Sequence, residues 1–131
     1  MFNRLRKGQR GQSLVEFALV LPLLIILLMG IFEFGRIFSS YVMITNAARE
    51  GARNVVVGRD DSQVSADILN MAGALDVGNV TVVINPGGES RVRGSSVTVE
   101  VAGELEIITP VIGKFMPNPF PVMAVSTMRM E

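Results

Sequence analysis

A chain of 131 residues has room for one small domain once any targeting or membrane segment is set aside, since domains need ~100–150 residues. Twelve Lys and Arg balance twelve Asp and Glu, so the total charge gives no reason to expect a nucleic-acid partner. With no histidine and no cysteine, Ser-His-Asp and Cys-His nucleophiles, His- or Cys-ligated zinc, disulfides and thiolate redox centres are all excluded. The expectation is therefore a protein that is not an enzyme and has no cofactor, bound metal or small-molecule substrate. Mean hydropathy of +0.43 is high for a soluble chain, and the excess has a location.

The first eleven residues, MFNRLRKGQRG, hold Arg4, Arg6, Lys7 and Arg10 and no acid. Positive charge directly before an apolar helix keeps that end in the cytoplasm and sends the rest across the membrane. From Phe17 to Phe32 the run FALVLPLLIILLMGIF has sixteen residues without a charge. It is apolar all round, as a lipid-facing helix is, with none of the polar positions that recur in a soluble one. A span needs ~20 residues, and taking it as residues 12–38 supplies them while including Glu16, Glu33 and Arg36. Glu33 and Arg36 lie three apart and can pair near the membrane boundary, where ionisable groups cost less than at mid-bilayer. Glu16 has no such local partner. A removable secretory signal is the competing reading, but it needs small residues soon after the apolar core, and the first acceptable site lies near Ala47.

The stretch RGQSLVEFALVLPLL joins the basic leader, Gly11, a glutamate five residues on and the apolar helix. It resembles the type IV prepilins, whose leader is cut on the cytoplasmic side just after a glycine. GQSLVEFALVLP, then FEFGR, then NAAREGAR, with VMAVSTMRME at the end of the chain, looks more closely like the TadE-like pseudopilins of tight-adherence (Flp) pilus systems. The resemblance implies cleavage between Gly11 and Gln12, with Glu16 as the fifth mature residue and Phe17 as the aromatic that follows it. Gly8 is a second small residue in the leader, but only Gly11 sets Glu16 at that distance. A new amino group at Gln12 and the Glu16 carboxylate are four apart on a helix; in a filament the carboxylate can pair with its own or a neighbour's amine and fix the axial register of subunits. Glu16 can also be read as a helix N-terminal acid favoured by the macrodipole. The major Flp pilins are far shorter, so a long C-terminal domain points to a minor component. The partners implied are the membrane, a prepilin peptidase, a sister pseudopilin, the major Flp pilin and the assembly platform, in the bacterial inner membrane with the C-terminal domain outside the cytoplasm.

Beyond Phe38 the pattern becomes one-sided: Ile37, Tyr41, Ile44, Ala48, Ala52 and Val55 recur at three and four residues, an amphipathic continuation of the helix over residues 39–57. Ala47, Ala48, Gly51 and Ala52 form a small-residue strip that could admit another helix to close approach or pack under the chain's own sheet. Gly58 suits a helix end, and Asp60, Asp61 and Ser62 are N-cap candidates for a second helix with Val64, Ile68, Met71, Ala72 and Leu75 on one face. Asp60 and Asp61 can be read as a carboxylate site, but adjacent acids at a helix start are far more often caps. NVTVVI is a strand, Pro86-Gly87 suits a type II turn, and SSVTVEVAGELEI alternates with Val97, Val99, Val101, Leu105 and Ile107 on one face. Gly103 keeps that phase and marks a bend or a strand boundary. Four of the six prolines fall in residues 110–121, a stiff loop, and Pro121 to Met130 reads as a last strand.

The expected fold class is α+β: a long N-terminal helix followed by an exposed domain, residues 58–131, with a small antiparallel sheet of three or four strands and one short helix. The function expected is structural, a pilus assembly subunit; the alternatives are an unprocessed membrane-anchored binding domain and an anchored hydrolase using Asp60 and Asp61. The leader carries +4, whereas residues 12–131 have eight bases and twelve acids. The neutral total therefore conceals an acidic body behind a basic topology signal.

Overall fold

A computed structural model describes the backbone of residues 5–131 and the side chains from residue 11 onward. Arg4 lies outside the described residues, as do the side chains of Arg6, Lys7 and Arg10. Helix α1 (Leu5–Val56) contains 52 residues, a rod of ~78 Å at 1.5 Å per residue. It begins upstream of residue 12, the expected start of the span. Its end is set by Gly58, at φ +88°. The Gly58 amide donates to the Val55 carbonyl and the Arg59 amide to the Asn54 carbonyl, each at 3.0 Å. This reversed pair of bonds satisfies carbonyls that the last turn would otherwise leave bare.

Helix α2 (Asp61–Gly73) starts on Asp60, whose carboxylate accepts from the Ser62 amide at 3.1 Å. The Ser62 hydroxyl, which also donates to it, and the Ser62 amide together hold the Asp60 carboxyl below its ordinary range. Three strands follow as an antiparallel meander in the order β1 (Val77–Asn85), β2 (Ser96–Leu105), β3 (Phe120–Arg129). The two helices cover one face of this sheet. Val97, Val99, Val101 and Leu105 from β2 are fully buried against Ile44, Ala48, Ala52 and Val55 of α1 and Val64 and Ile68 of α2. Burying each such aliphatic side chain stabilises the fold by roughly 1.5–3 kcal/mol before entropy is counted.

Five local expectations change. Tyr41 is half-exposed while Ser40 is buried, because the inward stripe of α1 runs through Ile37, Ser40, Ile44 and Ala47 and leaves Tyr41 flanking the β3 edge near Phe120 and Val122. Met71 likewise falls outside the buried α2 stripe of Val64, Ile68 and Ala72. Pro86-Gly87 is not a type II turn: Gly87 has φ −62°, and a 3-10 turn at Gly88–Ser90 follows. Arg91 draws this loop onto α2 by donating to the Pro86 carbonyl and to Asp61. The proline-rich segment is not simply extended, since it contains a 3-10 turn at Ile112–Lys114.

Gly103 neither bends nor ends its strand; β2 runs through it. Opposite lies a bulge in β1 between Gly78 and Thr81, with Asn79 at φ 49° and its side-chain amide donating to the Glu104 carboxylate at 2.7 Å. A Cβ at position 103 would sit 2.5 Å from Val77 Cγ1 and 3.4 Å from the Gly78 carbonyl oxygen. Branched Val77 has little freedom to move aside. Gly103→Ala is expected to destabilise the domain by about 1–3 kcal/mol, read as a lower midpoint of denaturant unfolding. Gly87→Ala, where a Cβ meets nothing within 4 Å, should leave that midpoint nearly unchanged.

Candidate functional site

The first half of α1 makes no tertiary core. Its most apolar window of 18 residues has a mean hydropathy of 2.8 and none of it is buried. Leu19, Leu23 and Leu27 on one side are 58–75% exposed, and Val20, Leu24 and Leu28 on others are still 43–54% exposed. A helix that is apolar on every face and covered on none has the length and composition of a single-pass membrane anchor. Pro22 lies within it, at a position where a soluble helix would be broken and a membrane helix tolerates the loss of one backbone donor.

At the N-terminal end of this surface stand the residues singled out from sequence. Gly11 is exposed with open space around it. Glu16 has a neighbour that sequence reading did not give it: the Gln12 side-chain amide donates to Glu16 Oε1 at 3.3 Å, one turn away as the helical repeat requires. Phe17 beside it is 57% exposed. Gly11, Gln12, Glu16 and Phe17 are thus all exposed where the helix enters its apolar stretch, with Gln12 and Glu16 joined on one face.

At the other end, Glu33 is 4% exposed and ties the segment after β2 to the helix. Its Oε1 accepts from Arg36 Nη2 at 2.7 Å, the ion pair that the spacing suggests. Its Oε2 accepts from the Thr109 hydroxyl at 2.7 Å and the Thr109 amide at 3.1 Å. Arg36 Nη2 also donates to the Glu106 carbonyl. A carboxylate taken out of water must have such partners, since an unpaired buried charge is severely unfavourable. The segment after β2 provides them across 76 residues of sequence, a separation at which no local pattern could reveal Thr109.

Ala47, Ala48, Gly51 and Ala52 are buried in the chain's own core. A Cβ on Gly51 would come 2.7 Å from Ile68 Cδ1 and 3.4 Å from Val99 Cγ1, so α2 and β2 already occupy this strip and no neighbouring helix has access to it. Asp60 caps α2 and Asp61 pairs with Arg91. Among the described residues no group of three or more Asp and Glu could hold a metal ion.

Glu33→Gln keeps the side chain's shape while removing its charge and one acceptor. It should weaken the attachment of residues 106–109 to α1 by about 1–3 kcal/mol, seen as faster hydrogen exchange at the Thr109 amide with core amides of β2 unchanged.

No curated protein and no solved structure matches the chain. The likeness that does emerge is confined to α1: residues 11–53 match the family model of TadE-like proteins, from Gly11 at the head of the apolar surface to Arg53 beside the buried alanines.

Proposed function

We propose that this chain is a structural subunit of tight-adherence (Flp) pilus assembly: a pseudopilin held in the bacterial inner membrane by the exposed half of α1 and matured by a prepilin peptidase between Gly11 and Gln12. The observation that carries this reading is the TadE-like match over residues 11–53, which begins at Gly11 and coincides with a helix left bare over its apolar half. The basic residues Arg4, Arg6, Lys7 and Arg10 hold the leader in the cytoplasm. Cleavage removes them and creates an amine at Gln12. The contact between Gln12 and Glu16 supports the idea that this amine and carboxylate are within reach of each other. Two opposite charges then enter the lipid as a pair, and exchange of the amine for a neighbour's sets the axial register between subunits.

The mechanism is non-covalent. The apolar helix leaves lipid for a helical bundle with a sister pseudopilin or the major pilin, and the rigidly attached α+β domain determines what the outer surface meets. Because the small-residue strip is filled by the chain's own core, helix association with other subunits falls to residues 14–32.

The decisive experiment is the intact mass of protein recovered from membranes of a host with its prepilin peptidase. The expected species starts at Gln12, and Gly11→Ala or loss of the peptidase should leave the leader attached. A wild-type protein that starts at Met1 would instead be an unprocessed membrane-anchored domain, and a start near Ala48 would be a removed signal peptide.

A further inference from the structure

Resting on the reading of α1 as a membrane span, we propose that the loop between β2 and β3 is a second membrane-contacting element, dipping into the lipid leaflet on the domain's side. Four observations meet here. The first is depth. Ile112 Cδ1 comes within 3.7 Å of where a Cβ on Gly30 would be, and an apolar groove joins the loop to α1 between Leu27, Gly30, Ile31, Val111, Ile112 and Phe115. Gly30 and Leu27 lie three and six residues before Glu33, hence ~4.5 and ~9 Å further along the axis toward the middle of the span. A loop packed at those levels cannot stay clear of a bilayer that α1 crosses.

The second is exposure. Ile108, Val111 and Phe115 are 69%, 38% and 85% exposed, an apolar group continuous with the bare face of the helix. The third is charge: residues 107–117 contain a single ionisable side chain, Lys114, which is exposed and can extend its ammonium to lipid phosphates while its stem lies among apolar groups. The fourth is backbone. The amides of Gly113, Lys114, Phe115 and Met116 all donate within the loop, and the Ile107 amide donates to the Asn118 side chain. Bonds closed within the loop lower the cost of taking its backbone out of bulk water. The β1–β2 loop, at the far end of the sheet, also closes backbone bonds within itself, but it exposes one large apolar side chain, Val92, beside the charged Glu89, Arg91 and Arg93, and it is remote from the apolar part of α1. The effect of the contact is to fix the domain's tilt about α1 through two points.

The chain contains no tryptophan, so single-tryptophan variants of the full chain report without background. Phe115→Trp, Val92→Trp and Leu23→Trp are each placed in bilayer nanodiscs, one chain per disc, with lipids brominated near the headgroup or deep in the acyl chain. Phe115→Trp is expected to emit to the blue and to be quenched by the shallow bromines, Leu23→Trp by the deep ones, and Val92→Trp by neither. If Phe115→Trp behaves like Val92→Trp while Leu23→Trp is quenched, the loop is in water and the proposal fails although the span stands. Blue emission without quenching means the loop is covered by protein, which also overturns it. An unquenched Leu23→Trp removes the span itself and the proposal with it.

Discussion

One helix has to live in two solvents, and the rest of the structure follows from where it passes from one to the other. The passage is at Glu33. Before it, α1 is apolar on every face and buried on none; after it, α1 has one inward stripe that a sheet and a second helix cover. A carboxylate at such a junction needs donors on both oxygens. Arg36, one turn along α1, supplies one and Thr109, reaching back from the domain, supplies the other, which ties the segment after β2 to the helix at the point where the packed core begins.

The packing beyond Glu33 depends on size. Alanines and Gly51 let α1 approach β2 and α2 closely enough that a single methyl at position 51 would collide with Ile68. Gly103 plays the same part between β1 and β2, where the β1 bulge folds Val77 over it. Small residues here serve the internal core of a domain of about 74 residues, a size at which close packing matters because little surface is available to bury. With no cysteine in the chain, packing holds the domain without help from disulfides.

Much of this was legible from periodicity, because periodicity is local. The change from all-round to one-sided apolarity, the alternation of Val97, Val99, Val101 and Leu105, and the cap at Asp60 each involve residues a few positions apart, and the structure has all three. What could not be read depends on partners distant in sequence. Thr109 is invisible from Glu33; the Pro86-Gly87 turn yields to Arg91 reaching Asp61; and Ser40 displaces Tyr41 from the inward stripe because the sheet's edge, and not helical phase alone, decides which residue is covered. Of the candidate site, the Gln12–Glu16 spacing follows from the helical repeat alone, whereas the internal use of the alanine strip required the fold.

The neutral net charge and high hydropathy take on a different meaning once divided along the chain. A basic leader precedes an apolar rod, and an acidic domain follows, an order suited to directional membrane insertion. The most direct test of this division is a spin-label accessibility scan along α1 in bilayers. Collision with oxygen should be high on every face from Leu14 to Ile26, ahead of the positions that the β2–β3 loop approaches, and from Glu33 onward protection should recur every three to four residues at positions 37, 40, 44, 48, 52 and 55. Periodic protection already present between residues 14 and 26 would mean that the helix is a packed core element, and the division at Glu33 would be wrong.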